Sequence, residues 1–535
     1  MGDMEPMSEH GELTSDDPPV SLGPAGPAAD AGTLAVPDNA APGTPPRRNG
    51  LRTLLAAVAL SVFGAKLIVI SALGSPVPLL DQWDAEADAL YSPYLKGTLS
   101  AGALFAPHNE HRIFVSRVFS LLHLELAGEW NTRLEMVLGA ITLTALVTLV
   151  TALLMPLVAP QRKMLLACFA ALLFVFPIGY ENTLWGFQSQ VYFTLLFGVA
   201  ALVAFAAARP FSLRWLGGLA AAVASYWSFG TGATTIFAAA GLVSLQLATK
   251  ARKRSCLELA AVAAMAAIGL AMVVRQASGA HPKSTLWTFV QGLSVFGAMT
   301  VAGLIPVAWF CRHTMARHPG ISDRAWVVIG IPLWIVIQLG VVAYARGILI
   351  APRYMDIVLL LYPVALVAVY TFADSARDTR FGRYASRGAV TWVFAVAAAI
   401  GILGYYVTAL GATDWSKSAY QQMVNVQAYV ATGNVDHLKT KGASGRMANL
   451  FYPNPQRLAG ILRDPAVRAI LPPGMRPPDA DNAVGRNRML LKGRAAGVTA
   501  GAIRLLLGSG PAMLALGVGL FFAAAADGGP RGERR

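Results

Sequence analysis

The chain has 535 residues, of which 55% are hydrophobic and 13% are charged, and its mean hydropathy is +0.52. Soluble domains carry roughly a quarter charged residues, so this composition argues against a soluble enzyme. Three cysteines exclude a disulfide-rich scaffold. The net charge of +14 comes from basic clusters between apolar runs, which is typical of a membrane protein and not of one that binds nucleic acid.

The first 50 residues predict a disordered, acidic, Pro/Ala/Gly-rich cytoplasmic tail (1–50). Residues 1–46 hold eight acidic residues and no Lys, Arg or aromatic residue. Arg47, Arg48 and Arg52 precede an apolar run over 53–73, which is long enough to cross a bilayer. A cleaved signal peptide is the alternative, but the run is longer than a usual signal sequence, so we interpret it as a retained anchor.

Further apolar runs predict an all-α, polytopic membrane protein with about twelve transmembrane helices. After 53–73 they fall at 134–156, 163–179, 190–208, 213–229, 231–248, 256–275, 287–310, 325–345, 355–373, 388–410 and 500–524. The pair at 213–248 meets at a turn-like stretch around Gly230 and is also compatible with a re-entrant hairpin. Basic residues alternate between connections in the way that places both termini in the cytoplasm.

Two long polar segments are predicted to lie outside, on the periplasmic side. Residues 74–133 form the first outer loop of a membrane domain over 51–410, and residues 411–499 form a second helical outer segment. Residues 500–535 are predicted to hold the last transmembrane helix and a basic cytoplasmic tail. Loops of this length in a compact protein are usually functional, so we expect the chemistry on this side.

The first outer loop opens with three carboxylates, Asp81, Asp84 and Glu86, directly after the first apolar run. A carboxylate at the membrane surface can act as a general base on a hydroxyl, or hold a divalent cation such as Mg or Mn. The alternative is an interfacial helix start, in which an aspartate caps the helix.

The same loop continues with His108, Glu110, His111 and Arg112. On a helix the two histidines, three residues apart, would share a face. Zinc would need further ligands, whereas an anion or sugar site would use the donors that are present. The alternative is a solvated helix start.

Two later connections carry further candidates. Trp185 and Gln188 combine an aromatic face with an amide, as sugar recognition does, although a membrane aromatic belt would also explain the tryptophan. Arg346, Arg353 and Tyr354 place two guanidinium groups on the predicted outer side, where a lipid phosphate is a natural partner. A pair with Asp356 or with lipid headgroups is the alternative.

These motifs resemble the GT-C superfamily of polytopic membrane glycosyltransferases, and more closely an uncharacterised bacterial branch. The likeness covers roughly residues 51–475 and rests on short stretches of this sequence: Asp-Gln-Trp-Asp, His-Asn-Glu-His-Arg, Leu-Trp-Gly-Phe-Gln, Arg-Tyr and Phe-Tyr-Pro-Asn-Pro-Gln. The resemblance implies a polyprenyl-phosphate sugar donor, Asp81 as base or metal ligand, and Arg353 as the contact to the lipid phosphate. Many family members have adjacent acids in the first loop, whereas Gln82 and Trp83 separate Asp81 from Asp84 here.

The sequence therefore predicts a glycosyltransferase of the bacterial inner membrane, acting at its outer face on an envelope glycan or lipid acceptor. Asp81 and Asp84 would be catalytic, and the remaining candidates would bind substrate: Glu86, His108, Glu110, His111, Arg112, Trp185, Gln188, Arg346, Arg353 and Tyr354. A transporter or flippase for a lipid-linked or charged substrate is the main alternative, and an inactive assembly partner is a third.

Overall fold

A computed structural model describes residues 48–277, 284–439 and 449–528. The predicted acidic tail and the last residues of the predicted basic tail lie outside these ranges, except for residues 48–50. Within them the chain is all-α apart from one two-stranded antiparallel hairpin, β1 (Pro107–His108) with β2 (His111–Arg112). The all-α class predicted from the sequence is confirmed.

The helices follow one another through short connections in the described part of the chain. In order they are α1 (Arg48–Leu73), α2 (Ser92–Leu95), α3 (Ala101–Phe105), α4 (Phe114–Ala127), α5 (Thr132–Leu154), α6 (Lys163–Val175), α7 (Tyr180–Leu184), α8 (Ser189–Ala207), α9 (Leu213–Tyr226), α10 (Thr234–Ala248), α11 (Cys256–Ala277), α12 (Leu286–Ala316), α13 (Ala325–Arg346), α14 (Met355–Leu359), α15 (Leu361–Ser375), α16 (Gly382–Tyr406), α17 (Thr413–Thr432), α18 (Pro455–Arg463), α19 (Pro465–Ile470), α20 (Asn482–Asn487) and α21 (Ala496–Gly528). Two π-helical stretches, Trp83–Tyr91 and Val407–Ala412, complete the set, and the second joins α16 to α17.

Ten helices among the described residues are long and apolar enough to cross a membrane, so the chain is a multi-pass membrane protein. Predicted spans 163–179 and 213–229 correspond to α6 and α9, which have only 13 and 14 residues. Both are shorter than the about 20 residues that a bilayer requires. The number twelve therefore stays a prediction.

The short helix α9 nevertheless runs antiparallel along α8. Ser225 donates a hydrogen bond from Oγ to the Thr194 carbonyl oxygen at 3.1 Å. Eleven residues earlier in α9, Arg214 donates from Nη2 to the Val203 carbonyl oxygen at 2.9 Å. The two helices thus form a hairpin that returns the chain to the end of the bundle where it entered α8.

The first and last long helices, α1 and α21, are joined through small residues. A Cβ added at Gly64 would lie 2.5 Å from the backbone nitrogen of Leu514, and one at Gly517 would lie 2.5 Å from Ser61 Oγ. Only a residue without a side chain permits backbones this close, which is how helices commonly pack inside membranes. The two ends of the membrane domain therefore close on each other.

The two polar segments predicted to lie outside pack together into one layer at one end of the bundle. They share an apolar core to which Trp83, Tyr91 and Trp130 contribute from the first segment, and Leu458 and Ile470 from the second. Trp83 and Trp130 meet edge to face with ring centroids 5.2 Å apart. The layer is therefore a packed structure and covers the ends of the helices beneath it.

Candidate functional site

A cavity of about 480 Å³ lies where the helical bundle meets this layer. Seven stretches of the chain contribute to its wall, because helices that run up and down through a bundle bring turns far apart in sequence to the same end. The lining residues are Leu80, Asp81, Asp84, Asn109, Glu110, His111, Trp185, Gln188, Gln190, Phe229, Ala345, Arg346, Arg353, Tyr354, Tyr452 and Pro453. Nine of the twelve candidates from the sequence are thus brought together in one cavity.

Asp81 stands on the turn that follows α1. The residue before it, Leu80, has a φ of 45°, in the left-handed region that costs a branched side chain free energy. The Asp81 side chain is 41% exposed, and its Oδ2 lies 3.8 Å from His108 Nε2. Burial raises the pKa of Asp81, but the nearby His108, His111 and Arg353 outweigh it, so the pKa falls below its usual value. Asp81 is therefore ionised at neutral pH.

The segment with the two histidines forms a hairpin, and the expectation that it is helical is wrong. His108 pairs with His111 across β1 and β2, so the strand register, and not a helical turn, makes them neighbours. Asn109 occupies the tight turn with a φ of 49°, a conformation that asparagine tolerates better than most residues. This turn points Asn109 and Glu110 into the cavity wall.

His111 is held as a neutral imidazole. Its Nδ1 accepts a hydrogen bond from the Gly230 amide at 3.2 Å, and its ring stacks on Phe229 with centroids 4.5 Å apart. Burial lowers the pKa of His111 to about 4, against the opposing effect of Glu110. The proton of the neutral ring therefore sits on Nε2, which lies 3.6 Å from Glu110 Oε1.

Each of the two cavity arginines contacts a carboxylate. Arg346 Nη2 pairs with Glu110 Oε1, and Arg353 Nε lies 3.3 Å from Glu181 Oε2. The Arg353 guanidinium carbon also stands 5.9 Å from the ring centroid of Trp185, a cation–π contact. Burial raises the pKa of Glu181, although Arg353 opposes the rise. The cavity thus offers two guanidinium groups that are oriented before any ligand enters.

A buried polar network fixes the backbone beneath Arg353. Asn182 Nδ2 donates to the Arg353 carbonyl oxygen and to Asp356 Oδ2, both at 2.8 Å. Gly179 packs directly on the Asp356 carboxylate, because a Cβ there would lie 2.3 Å from Oδ2. Lys66, 1% exposed inside α1, interacts electrostatically with Asp356. The sequence analysis left open a pair between Asp356 and one of the arginines. In the structure Asp356 interacts with Lys66 instead.

The tryptophan and glutamine stretch of the cavity wall contains two buried polar atoms without a partner. Trp185 Nε1 and Gln190 Oε1 are buried and have no hydrogen-bond partner in the described chain. Gln190 Nε2 donates to Gln188 Oε1 at 3.4 Å. A buried donor and a buried acceptor without partners are costly unless a ligand or water satisfies them. The side chains of Trp185, Gln188 and Gln190 themselves line the cavity.

Asp84 is held by the second polar segment. Tyr452 donates its hydroxyl to both oxygens of the Asp84 carboxylate at 2.8 Å, and Arg457 Nε donates to Oδ1 at 2.6 Å. Both oxygens of the Asp84 carboxylate therefore already accept hydrogen bonds, and the nearest cation to it is the Arg457 guanidinium group. No group of three or more His, Cys, Asp or Glu within the described ranges is arranged to hold a metal. The Asp81 and Asp84 pair therefore does not fit a metal site in this conformation.

Three candidates do not line the cavity. His108 stands behind Asp81, with its ring edge to face on Phe187 at 5.9 Å. Arg112 is 8% exposed and donates from Nη2 to the Arg275 carbonyl oxygen, so it ties the hairpin to α11. Glu86 points into the interior of the polar layer. Adjacent residues face opposite sides of a strand and point about 100° apart on a helix, and spacing alone does not say which way each one faces.

Glu86 belongs to a buried carboxyl cluster beneath the cavity turn. Gln82 Nε2 donates to Glu86 Oε2 and to Glu135 Oε2, both at 2.9 Å, and Ser120 and Trp130 donate to Glu86 at 2.8 Å and 3.1 Å. Burial raises the pKa of Glu86 to about 7 despite these hydrogen bonds. The cluster connects the π-helix after Asp81 to α5 and so positions the turn.

The sequence prediction did not include several residues of the cavity wall, nor Glu181, which contacts Arg353. Glu181 and Gln190 lie in the same aromatic stretch as Trp185, and their polarity at the mouth of a span was a usable signal. Tyr452 lies in the Phe-Tyr-Pro-Asn-Pro stretch, but its contact to Asp84 joins residues 368 positions apart. Nothing in the sequence indicated that Phe229 is a site residue, except its position beside the glycine turn at Gly230.

A comparison of the chain with protein-family models, with curated proteins and with solved structures finds no match.

Proposed function

We propose that this protein is a membrane glycosyltransferase of the GT-C type, which moves a sugar from a polyprenyl-phosphate donor to an envelope glycan or lipid acceptor. The observation that carries the proposal is the meeting of Asp81 with Arg346 and Arg353 in the wall of one cavity, at the end of a membrane-spanning bundle. In a glycosyl transfer from a phosphate, an ionised carboxylate can accept the proton of the acceptor hydroxyl, and two guanidinium groups can stabilise the phosphate that leaves.

In the proposed reaction the acceptor hydroxyl oxygen forms a bond to the anomeric carbon of the donor sugar. The bond from that carbon to the phosphate oxygen breaks, and the phosphate leaves with the electron pair. Asp81 takes the acceptor proton, while Arg346 and Arg353 stabilise the negative charge that develops on the phosphate. Attack from the face opposite to the phosphate makes the transfer inverting.

The polar atoms of the wall would orient the sugar. Trp185 offers an aromatic side chain, and Gln188 and Gln190 offer amide groups in the cavity wall. Neutral His111 presents its Nε2–H, since its Nδ1 is taken by the Gly230 amide. Hydroxyl groups can hydrogen-bond to these amide groups and to this imidazole, which supports a sugar as the ligand.

An apolar groove beside the cavity suits the donor's hydrocarbon chain. It has a volume of about 480 Å³ and is lined by Pro352 and Met355, which flank Arg353 and Tyr354 in the chain. Tyr362 and side chains of α12 and α16 complete it. A ligand with a phosphate at one end and an isoprenoid chain at the other would use both.

The proposed setting is the bacterial inner membrane with both termini in the cytoplasm. The support comes from charge: Arg162 with Lys163, Lys250 with Lys253, and the arginines after α15 fall at the end of the bundle away from the cavity. On this assignment the cavity opens toward the periplasm, where lipid-linked sugar donors and envelope acceptors would meet it.

The test is a transfer assay with the full-length protein in proteoliposomes and radiolabelled polyprenyl-phosphate sugars. Asp81→Asn removes the proton acceptor and should abolish incorporation of label into the acceptor, with the protein still folded by size-exclusion chromatography. Asp88→Asn is the matched control, since Asp88 lies on the π-helix that follows Asp81 but is 54% exposed and outside the cavity wall. Full activity of Asp81→Asn would remove Asp81 from the mechanism.

Transport or flipping of a lipid-linked substrate is favoured by one observation, the buried Lys66 and Asp356 within the membrane-spanning helices. The same proteoliposomes distinguish the two functions, because transport moves label across the membrane without forming a new glycosidic bond. Lys66→Met should then abolish movement. Covalent incorporation of the sugar supports the transferase.

A further inference from the structure

A second apolar groove lies at the end of the bundle opposite to the cavity. It is bounded by α12, α15 and α16 and has a volume of about 620 Å³. Helix α15 follows Tyr354 at the cavity and ends at Ser375, and α12 begins near Gly347 and ends at Ala316. The groove residues Trp309 and Phe372 therefore belong to the far ends of both helices.

A proline in α12 and a tryptophan in α16 build the floor of this groove. Pro306 cannot donate the helical hydrogen bond to the Ala302 carbonyl oxygen, which would leave that oxygen unpaired. Trp392 Nε1 donates to it at 2.9 Å. Gly388, one turn before Trp392, also lines the groove, and a Cβ there would meet no atom within 4 Å. The floor is thus apolar with its exposed carbonyl satisfied.

Four basic side chains follow α15 in the chain, and the first two of them lie next to the Phe381 end of the groove. Arg377, Arg380, Arg383 and Arg387 lie on the connection after α15 and the first turns of α16, and all four are exposed. Their guanidinium groups make no hydrogen bond or ion pair to the described chain, although Arg380 stacks on the groove residue Phe381 at 4.8 Å. Asp378 is the one carboxylate among them. The connection therefore carries an excess of positive charge without a partner.

We propose that this groove binds an anionic phospholipid, with an acyl chain on the floor of Pro306, Trp309 and Gly388 and the phosphate beside Arg377 and Arg380 at the Phe381 end. An acyl chain needs the apolar floor, which inorganic phosphate cannot use. Several unpaired guanidinium groups favour a headgroup with net negative charge, because a zwitterionic headgroup brings its own cation. The site is separate from the cavity and does not depend on the proposed transfer.

The experiment uses the full-length protein in detergent with phosphatidylglycerol or phosphatidylcholine of the same chain length. Native mass spectrometry counts bound lipid, and thermal unfolding reports stabilisation. Phosphatidylglycerol should bind and raise the melting temperature, while phosphatidylcholine and inorganic phosphate at the same concentration should not. Equal binding of both lipids, or stabilisation by inorganic phosphate alone, would overturn the proposal.

Two variants connect the binding to the groove. Gly388→Leu fills the floor and should abolish retention of phosphatidylglycerol, whereas Gly401→Leu, on the same helix and also with no atom within 4 Å of a Cβ, should not. A basic residue near an anionic lipid contributes about a fivefold factor, so Arg377→Gln with Arg380→Gln should weaken binding about thirtyfold.

Lys250→Gln with Lys253→Gln is the charge-matched control. These two lysines lie between α10 and α11, at the same end of the bundle, and do not line the groove. Binding should stay as in the wild type. An equal loss of binding in this control would show that general surface charge, and not the groove, attracts the lipid. Retention of the lipid by Gly388→Leu would show that the lipid binds elsewhere. Either result overturns the proposal.

Discussion

Replacing Gln82 by methionine tests whether one buried amide holds the turn that carries Asp81. Gln82 Oε1 accepts a hydrogen bond from the Leu79 amide at 3.0 Å, and its Nε2 donates to Glu86 and Glu135 at 2.9 Å each. Methionine has a similar length but no donor and only a weak acceptor. Because Gln82 is 1% exposed, water cannot replace the three hydrogen bonds.

The expected loss follows from the groups left without a partner. A buried group that loses its hydrogen bond costs about 1–3 kcal/mol, and Glu86 keeps the hydrogen bonds from Ser120 and Trp130. Three such losses, partly relaxed, should lower the free energy of unfolding by about 3–6 kcal/mol. Thermal unfolding in detergent, followed by tryptophan fluorescence, measures the destabilisation, and the transfer assay should show reduced activity as the turn shifts.

Gln421→Met is the matched control. Gln421 is exposed on α17 and donates only to Asn425, at 3.0 Å, so its loss should leave the melting temperature close to that of the wild type. If Gln82→Met melted together with this control, the buried amide would contribute little to stability. The argument that the carboxyl cluster positions Asp81 would then fail.

Three further predictions concern the cavity and its support. Arg353→Lys removes the planar guanidinium that stacks on Trp185, and the KM for the donor should rise about tenfold in the transfer assay. Glu86→Gln should flatten the pH dependence of thermal stability: since burial raises the folded pKa of Glu86 to about 7, its stabilisation is full below its unfolded pKa of about 4.3 and is lost as pH rises through about 7. Gly186→Ala should cost about 1–3 kcal/mol by thermal unfolding, because the new Cβ would lie 2.3 Å from Glu135 Cβ.

Each of these predictions has a result that contradicts it. Arg463→Lys, at an exposed position outside the cavity, should leave the KM unchanged, and an equal rise there would point to a general effect of the substitution. Gly217→Ala meets no atom within 4 Å and should be neutral or slightly stabilising. If thermal stability depended on pH in the same way in Glu86→Gln as in the wild type, another ionisable group would be responsible for that dependence.

Much of the cavity could be predicted because its residues lie beside the ends of apolar runs. Helices that cross a membrane alternate in direction, so every second connection reaches the same end of the bundle. The turn at Asp81, the connection at Trp185 and the connection at Arg353 are related in this way. Counting the apolar runs therefore predicts that these three segments lie at the same end of the bundle, without any knowledge of how the helices pack.

What the sequence could not give is the direction of each side chain and the partners across the layer. His108 and His111 looked like a helical pair, but a two-residue turn with Asn109 in the left-handed region makes a hairpin instead. Glu86 lies only two residues from Asp84 and faces the interior. The hydrogen bond from Tyr452 to Asp84 depends on the packing of two distant segments, which no local pattern encodes.

The two arginines of the cavity wall have a consequence for how it fills. Arg346 already holds Glu110, and Arg353 already contacts Glu181. An arriving anion has to exchange with these internal counter-ions, and each carboxylate that it releases must swing away or capture a proton. Binding of an anion is thereby coupled to a change in the contacts of the β-hairpin, which carries Glu110, and of α7, which carries Glu181, and both arginines regain these carboxylates when the ligand leaves.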